Sequence, residues 1–307
     1  MEKETTDTRS SFTLSGKLRD YMLLIKFSLS FMVVFSAVVS FLLVPRNGYN
    51  FKMIVILFVG GLLVTGSANA INQVVERDTD AMMKRTAKRP VASGRMSVAE
   101  GWGFAIITGV LGVAMLWYFF NMSSAMLAAF SLFLYAFIYT PLKKVNSVSV
   151  LVGAFPGALP CLIGWCAGFY DDPIIWKGGW ALFAIQFFWQ FPHFWAIAWI
   201  SHKDYSNAGF KLMPSVEGPT KYSAIQAIIY SLLLLPVGLL PYYTGICEWA
   251  STRGGISFLI VLVANLFMIW QSVRLYREME VKAARRVMFS SYIYLPVVLL
   301  ALLAAKA

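Results

Sequence analysis

The chain alternates between long apolar runs and short polar segments. Nine of these runs are each close to the ~20 residues that cross the hydrocarbon core of a bilayer. Such runs predict helices, because backbone groups in lipid must find their hydrogen-bond partners within the segment. The alternating pattern of a membrane β-barrel is absent. We therefore predict an all-α polytopic membrane protein with nine transmembrane helices, at residues 21–44, 51–75, 101–121, 124–142, 148–169, 178–201, 222–243, 255–273 and 288–305.

The distribution of Lys and Arg predicts the orientation of these helices. With the N-terminus in the cytoplasm, 21 of the 26 basic residues fall on the cytoplasmic side of the nine spans. This excess is what the positive-inside rule describes. Residues 1–20 lack the order of charges and apolar residues found in a signal peptide. We predict a cytoplasmic polar tail at 1–20 and a nine-helix domain at 21–307.

Composition agrees with a membrane protein and removes several other classes. Hydrophobic residues make up 59% of the chain and charged residues only 13%, whereas soluble domains carry about 25% charged residues. Three cysteines, without metal-ligand spacing, cannot form a disulfide framework. The net charge of +11 follows from the predicted topology, so we expect no nucleic-acid partner.

The polar loop after the second span begins with three oxygen-bearing side chains. Asn72, Glu76 and Asp80 are spaced i, i+4, i+8. If the helix of this span continues through them, all three project from one face. One amide oxygen and two carboxylates suit Mg²⁺, which is commonly shared with substrate phosphates. The spacing therefore predicts a metal site at the end of this span.

A basic cluster follows these acids, and it comprises Lys84, Arg85, Lys88 and Arg89. The guanidinium group matches phosphate oxygens in pairs, while lysine supplies a point charge. A single charge of this kind is also common at the solvent-exposed end of a helix, where salt bridges contribute little to stability. Acids followed in order by cations favour a site for a Mg²⁺-diphosphate.

The ordered motif at this loop resembles a known family. It reads Asn72-x3-Glu76-x3-Asp80-x2-Met83-x-Arg85-Thr86-x2-Arg89-Pro90 and is similar to the first signature of the UbiA-type intramembrane prenyltransferases. The members that farnesylate haem are the most similar. Further stretches that agree with them are Tyr139-Thr140-Pro141-Leu142-Lys143-Lys144, residues 157–165, Trp189-Gln190-x-Pro192-His193-Phe194 and Asp204-Tyr205-x2-Ala208-Gly209.

The resemblance implies an activity and its partners. The prenyl donor would be farnesyl diphosphate and the acceptor a vinyl group of haem b, with haem O and diphosphate as products and Mg²⁺ as cofactor. The short tail without a transit peptide favours a bacterial inner membrane, and the distribution of basic residues predicts that the active-site loops lie at the cytoplasmic face. A haem O-oxidising enzyme or a terminal oxidase assembly would be a further partner. A quinone precursor or another aromatic acceptor stays an alternative for the same acidic motif.

The resemblance also extends the set of expected site residues. Asp204 would add a carboxylate from the second long loop to the catalytic and metal-binding group of Asn72, Glu76 and Asp80. The expected diphosphate contacts are Lys26, Arg85, Arg89, Lys143 and Lys144. Lys143 and Lys144 also fit a purely topological role as positive-inside anchors.

His193 is the candidate contact to haem. It falls within the sixth predicted span, where an ionisable side chain is a functional hypothesis by default. Its role would be to ligate the haem iron or to donate a hydrogen bond at the haem edge. A transporter is disfavoured, because the charges concentrate at one membrane face, whereas a transport route needs polar groups near the midplane.

Overall fold

The computed structural model describes residues 14–45, 48, 50–170, 172–215 and 217–307. Within these ranges every named element is helical. The elements are α1 Leu14–Leu24, α2 Phe27–Leu43, α3 Phe51–Val75, α4 Arg77–Met82, α5 Val98–Phe119, α6 Met122–Phe133, a π-helical segment Leu134–Tyr139, α7 Thr140–Leu142, α8 Ser149–Ala167, α9 Trp176–Ile200, α10 His202–Asn207, α11 Lys221–Tyr243, α12 Thr252–Glu278 and α13 Val281–Ala304.

The predicted all-α polytopic architecture is confirmed. Among the described residues, seven continuous helical runs are long and apolar enough to cross a membrane, and α1 with α2 would make an eighth span. Helix α9 has 25 residues and is not among these runs. The count of nine spans and the side of the N-terminus stay predictions.

The first predicted span is wrong in one respect, because it is two helices rather than one. α1 and α2 meet at a bend of 52°. Lys26, at the bend, has a left-handed backbone with φ 49°, a conformation that costs energy for any residue with a Cβ atom. α1 also begins at Leu14, inside the segment expected to be a tail. Residues 1–13 of that tail lie outside the described part of the chain.

Two side chains from α3 stabilise this bend. A broken helix leaves carbonyl oxygens without partners inside the helix, and buried ones must be satisfied elsewhere. The Nε2 atom of Gln73 donates to the carbonyls of Leu23 and Leu24 at 2.9 and 3.0 Å. The Nδ2 atom of Asn69 donates to the carbonyl of Ile25 at 3.1 Å. Polar groups on α3 thus hold the broken first span in place.

The long helices form one bundle around α2, α8, α9 and α13. Helix α8 packs on α2 and α9, while α9 also packs on α11 and α13, and α3 pairs with α5. The close approach of α8 to α2 depends on Gly164, since any side chain there would collide with the backbone of Ala37. Small residues at such contacts are the usual means of helix packing in lipid.

A π-helical segment interrupts the fourth span just before Pro141. Proline has no N–H group to continue the α-helical hydrogen bonds, and its ring crowds the preceding turn. Single π-helical turns inside α-helices are often found at functional sites. This one carries Tyr135 and Tyr139, whose ring centroids are 5.3 Å apart.

The last two helices are longer than predicted. α12 continues to Glu278 and α13 begins at Val281, whereas the apolar windows were 255–273 and 288–305. The additional turns are polar, and Arg274 and Arg286 both pair with Glu278 there. A pattern of apolar residues detects only the part of a helix that lies in lipid, so it misses such polar ends.

Candidate active site

Asn72, Glu76 and Asp80 form a continuous buried set at the end of α3, which we call the acidic column. The prediction of one unbroken helix through them is wrong, because α3 ends at Val75 and α4 begins at Arg77. The backbone hydrogen bonds nevertheless continue across the joint, from Glu76 to Asn72 at 2.9 Å and from Asp80 to Glu76 at 2.7 Å. All three residues are at most 4% exposed.

Lysines from two other elements contact Asn72 and Glu76 of the acidic column. The Nζ atom of Lys26 donates to the Oδ1 atom of Asn72 at 2.9 Å, so the left-handed bend aims this amine at the column. The Nζ atom of Lys143 lies 2.5 Å from the Oε1 atom of Glu76. Lys143 follows α7, and its backbone is fixed by the proline-containing turn before it.

Asp80 is paired with Arg89. One guanidinium nitrogen lies 2.7 Å from each carboxylate oxygen. Burial raises the pKa of the Asp80 carboxyl above its ordinary value, and the charge of Arg89 opposes that rise. Thr86 closes the intervening loop, because its hydroxyl donates to the carbonyl of Asp80 at 2.9 Å. Asp80 and Arg89, both predicted site residues, therefore meet.

Three loops converge on this end of the bundle. Arg85 donates to the hydroxyl of Tyr205 at 3.2 Å and lies over its ring, which joins the loop after α4 to α10. The backbone N–H of Lys211 donates to the carbonyl of Lys143 at 2.8 Å. The ammonium group of Lys143 lies 5.6 Å from the ring centre of Phe210. The same-face placement expected for these loops is found.

Asp204 and Lys144 lie near this convergence but do not join the ion pairs. Asp204 is partly exposed in α10, next to Tyr205. In the ranges that the structure describes, its carboxylate has no hydrogen-bond or ion-pair partner. Lys144 is exposed beside Lys143. Their roles toward a metal or a diphosphate stay predictions.

The acidic column fits a divalent metal that is shared with a substrate. Among the described residues, no three His, Cys, Asp or Glu side chains gather as a closed metal site. Mg²⁺ seldom uses such a protein cage, because it keeps several waters and takes one or two carboxylates together with substrate phosphates. Glu76, Asp80 and the amide oxygen of Asn72 supply that donor set.

Four residues that shape this end of the bundle were not among the predicted site residues. Asn69 and Gln73 hold the bend beside Lys26. Tyr135 was not among the predicted residues, and Tyr139, over whose ring Lys143 lies at 4.8 Å, appeared only as part of a matched stretch. Asn69 and Gln73 continue the spacing of Asn72 and Glu76 along one helical face. Polar side chains repeating every three or four residues inside an apolar helix were the available signal.

His193 lies in a separate setting, which we call the histidine niche. Its members are His193, Ser291, Trp189 and Tyr292. The Nδ1 atom of His193 lies 2.8 Å from the Ser291 hydroxyl. Its ring stacks on Trp189, with ring centres 5.1 Å apart, and meets the edge of Tyr292 at 5.2 Å.

The hydrogen bonds of Ser291 determine the tautomer of His193. The Ser291 hydroxyl donates its one proton to the carbonyl of Met288 at 2.6 Å. A hydroxyl that donates there accepts from His193, and on this basis we assign the imidazole proton to Nδ1. The Nε2 atom keeps its lone pair, and no partner for it exists among the described residues. This is the nitrogen that could ligate iron or accept a proton.

Comparison with known proteins assigns the class. The model of the UbiA prenyltransferase family matches residues 33–294. This chain belongs to the UbiA prenyltransferase family.

Two individual relatives show which members of the family are similar to this chain. The protoheme IX farnesyltransferase of Cytophaga hutchinsonii is 41% identical over 95% of this chain and 99% of that protein. The protoheme IX farnesyltransferase of Flavobacterium johnsoniae is 40% identical over 94% of each chain.

Solved structures share the fold. A digeranylgeranylglyceryl phosphate synthase superposes with a TM-score of 0.76 at 17% identity, over 94% of this chain and 98% of that one. A UbiA homolog from Archaeoglobus fulgidus bound to GPP and Mg²⁺ gives 0.64 at 16% identity, over 92% and 99%. At these identities the likeness shows the fold alone, so the roles of the residues above rest on their own geometry.

Proposed function

We propose that this chain transfers the farnesyl group of farnesyl diphosphate to a vinyl group of haem b, which yields haem O and diphosphate. Relatives with this activity in their names match nearly the whole chain. The observation that carries the proposal is the buried acidic column with Lys26, Lys143 and Arg89 each paired to one of its members. That arrangement can bind a diphosphate at the end of an apolar bundle.

The first step is breakage of the bond between C1 of farnesyl and the diphosphate oxygen. The electron pair leaves with diphosphate, so the site must stabilise growing negative charge. Arg89, Lys143 and Lys26 are placed to contact that oxygen-rich group once the substrate competes for them. Arg85, held at the rim by Tyr205, adds a fourth cation. A divalent metal bound by Glu76, Asp80 and Asn72 would supply further charge neutralisation.

The second step forms the bond between C1 of farnesyl and the terminal carbon of the vinyl group. The vinyl carbon next to the porphyrin then carries the positive charge. Water adds there and releases one proton, so the product holds a hydroxyl group. Tyr135 and Tyr139 lie beside the ion pairs, and aromatic faces stabilise cations. Exclusion of bulk water from the buried site limits early capture of the allylic cation.

His193 is proposed to hold the acceptor. Its free Nε2 atom suits a contact to haem iron or to the porphyrin edge, and Ser291 fixes the ring. The aromatic niche around it fits a flat apolar macrocycle. We propose that the diphosphate end faces the cytoplasm of a bacterial inner membrane, and that the product passes to a haem O-oxidising enzyme or a terminal oxidase assembly.

The direct test uses the purified protein in lipid nanodiscs with farnesyl diphosphate, haem b and Mg²⁺. Pigments are extracted and identified by mass. We expect hydroxyethylfarnesyl haem, its loss in EDTA, and its return when Mg²⁺ is added in excess. A parallel reaction replaces haem b with an aromatic quinone precursor. Prenylation of that compound in place of haem would assign the alternative acceptor, and product formation unchanged by EDTA would refute the metal-diphosphate site.

A further inference from the structure

An apolar groove runs along the outer surface of the bundle between α12 and α13, and none of its lining residues belongs to the acidic column or the histidine niche. We call it the outer groove. Its volume is about 410 Å³, within the range of small-molecule sites. Val263, Phe267 and Ile293 are exposed on its walls. Its floor contains Ala264 and Tyr294, and the Tyr294 hydroxyl donates to buried Asn265 at 2.6 Å.

The outer groove leads to a basic cluster at the α12–α13 turn. On α13, Ser290 lines the groove. Its hydroxyl donates at 2.7 Å to the carbonyl of Arg286, which lies one helical turn closer to the α12–α13 connection. On α12, Phe267 contacts Trp270, and Arg274 lies over the Trp270 ring at 5.2 Å. A rise of about 1.5 Å per residue places Arg286 roughly 6 Å beyond Ser290. Both arginines thus stand where the groove ends.

This cluster has more positive than negative charge. Arg274 and Arg286 share one carboxylate, Glu278. The Nε atom of Arg286 is buried and has no hydrogen-bond partner in the described structure. An arginine offers five N–H donors, so each of these side chains retains donors for an anion. The side chains of Arg274 and Arg286 are 33% and 25% exposed, so an anion can reach their remaining N–H groups.

We propose that the outer groove and this cluster bind one anionic phospholipid. One acyl chain would lie in the groove, over Ala264 and between the walls, and the headgroup phosphate would accept from Arg274 and Arg286. The site goes beyond the proposed function, because it shares no residue with the acidic column or the niche. A membrane phospholipid is favoured over the prenyl donor, since the groove opens to the bilayer on the outer face of the bundle.

The test compares lipid retention on the whole protein. Protein from detergent containing equal phosphatidylglycerol and phosphatidylcholine is analysed by native mass spectrometry. We expect one tightly held phosphatidylglycerol on the unmodified chain. The pair R274Q/R286Q should weaken its retention about fivefold for each arginine removed. A264F, which fills the groove and leaves both arginines, should reduce the same peak.

Matched controls address the general effects of these changes. R253Q removes an exposed arginine at the start of α12, the opposite end from the cluster, and A129F adds an aromatic ring at an exposed position of α6. Both should retain the lipid. Every variant is checked for a single folded species and for its thermal unfolding midpoint, and phosphatidylglycerol should raise that midpoint only where the site is intact.

Three outcomes would overturn the proposal. Equal retention of phosphatidylcholine and phosphatidylglycerol would mean that the cluster does not select charge. Retention unchanged in both R274Q/R286Q and A264F would place the lipid elsewhere. Displacement of phosphatidylglycerol by farnesyl diphosphate at micromolar concentration would assign the groove to the prenyl donor. The first two outcomes leave farnesyl transfer untouched, and the haem farnesylation assay tests that activity separately, so failure of the lipid site and failure of the proposed function can be told apart.

Discussion

The acidic column and the histidine niche differ in how their buried polar side chains are paired. In the column, two buried carboxylates are each matched by a cation from another element, Glu76 by Lys143 and Asp80 by Arg89. In the niche, His193 is surrounded by aromatic rings and by a serine hydroxyl that carries no charge. Unpaired charge is very costly to bury, whereas a neutral polar group needs only its hydrogen bond.

This difference explains how one bundle can bind two chemically different substrates. A diphosphate can replace carboxylates as the partner of cations that are already in place. A porphyrin needs a flat apolar surface and one directed nitrogen. Substitutions in the column should therefore impair the prenyl donor and leave haem binding intact, and substitutions in the niche should do the reverse.

The largest effect is expected from Asp80→Asn. It removes a proposed metal ligand and leaves partly buried Arg89 without its carboxylate. Loss of one strong electrostatic contact in a transition state lowers rates by roughly 100- to 1,000-fold. We expect haem farnesylation to fall by about that factor, measured as product by mass, while haem binding followed by its absorption spectrum stays within twofold.

Asp78→Asn is the matched control for this substitution. Asp78 lies two residues away, and its side chain is 88% exposed. It should keep nearly normal activity. If D78N and D80N lost activity equally, the acidic column would not be the locus of the chemistry. If D80N lowered the thermal unfolding midpoint strongly, Glu76→Gln would replace it as the test of the column.

The second prediction concerns His193→Ala. Removal of the imidazole should lower farnesylation of haem roughly 10- to 100-fold, as loss of a metal-site contact commonly does. The haem absorption spectrum of the bound state should change, and the affinity for farnesyl diphosphate should not. His202→Ala, at the start of α10, serves as control. Normal product from H193A would remove His193 from the acceptor site.

A smaller effect is expected from Ser291→Ala. The variant keeps His193 but removes the hydroxyl that accepts its Nδ1 proton. One hydrogen bond of this kind is worth about 1 kcal/mol, so farnesylation should fall about fivefold, through a weaker affinity for haem. Ser290→Ala, whose hydroxyl bonds only to its own helix, should not alter it. Equal effects of S290A and S291A would argue against a role in orienting the imidazole.

The smallest effect on activity is expected from Gln73→Leu, which should act mainly on stability. The substitution leaves the buried carbonyl of Leu24 without its donor, while the carbonyl of Leu23 still accepts from the backbone N–H of Lys26 at 3.2 Å. Each buried group left without a partner costs about 1–3 kcal/mol, so the thermal unfolding midpoint should drop by several degrees. Gln226→Leu on α11 is the control. An unchanged midpoint in Q73L would mean that the bend at Lys26 does not depend on α3.

Much of the fold followed from the pattern of apolar residues. The second span, 51–75, coincides with α3, and the other predicted spans match helices to within a few residues except where polar turns extend α12 and α13. The bend in the first span could not be predicted. Residues 21–44 contain no proline or glycine, and the break depends on Asn69 and Gln73, which are distant along the chain.

The candidate site was predictable in its members but not in its pairing. Spacing placed Asn72, Glu76 and Asp80 together, and the ordered motif added Arg85 and Arg89. No pattern could show that Lys143 reaches Glu76, because that contact depends on how the fourth span packs. Ser291 escaped notice because it lies 98 residues from His193, and a serine inside an apolar run carries no signal of its own.

The bend at Lys26 has a consequence for how this sequence can change over generations. The left-handed backbone there favours glycine or asparagine, while the hydrogen bond to Asn72 requires a long side chain ending in a cation. A mutation to glycine or asparagine relieves the backbone strain but removes the amine. A mutation to arginine keeps a cation and keeps the strain. Drift at this position is therefore confined to lysine and arginine, and relaxing the bend requires coordinated changes at more than one codon.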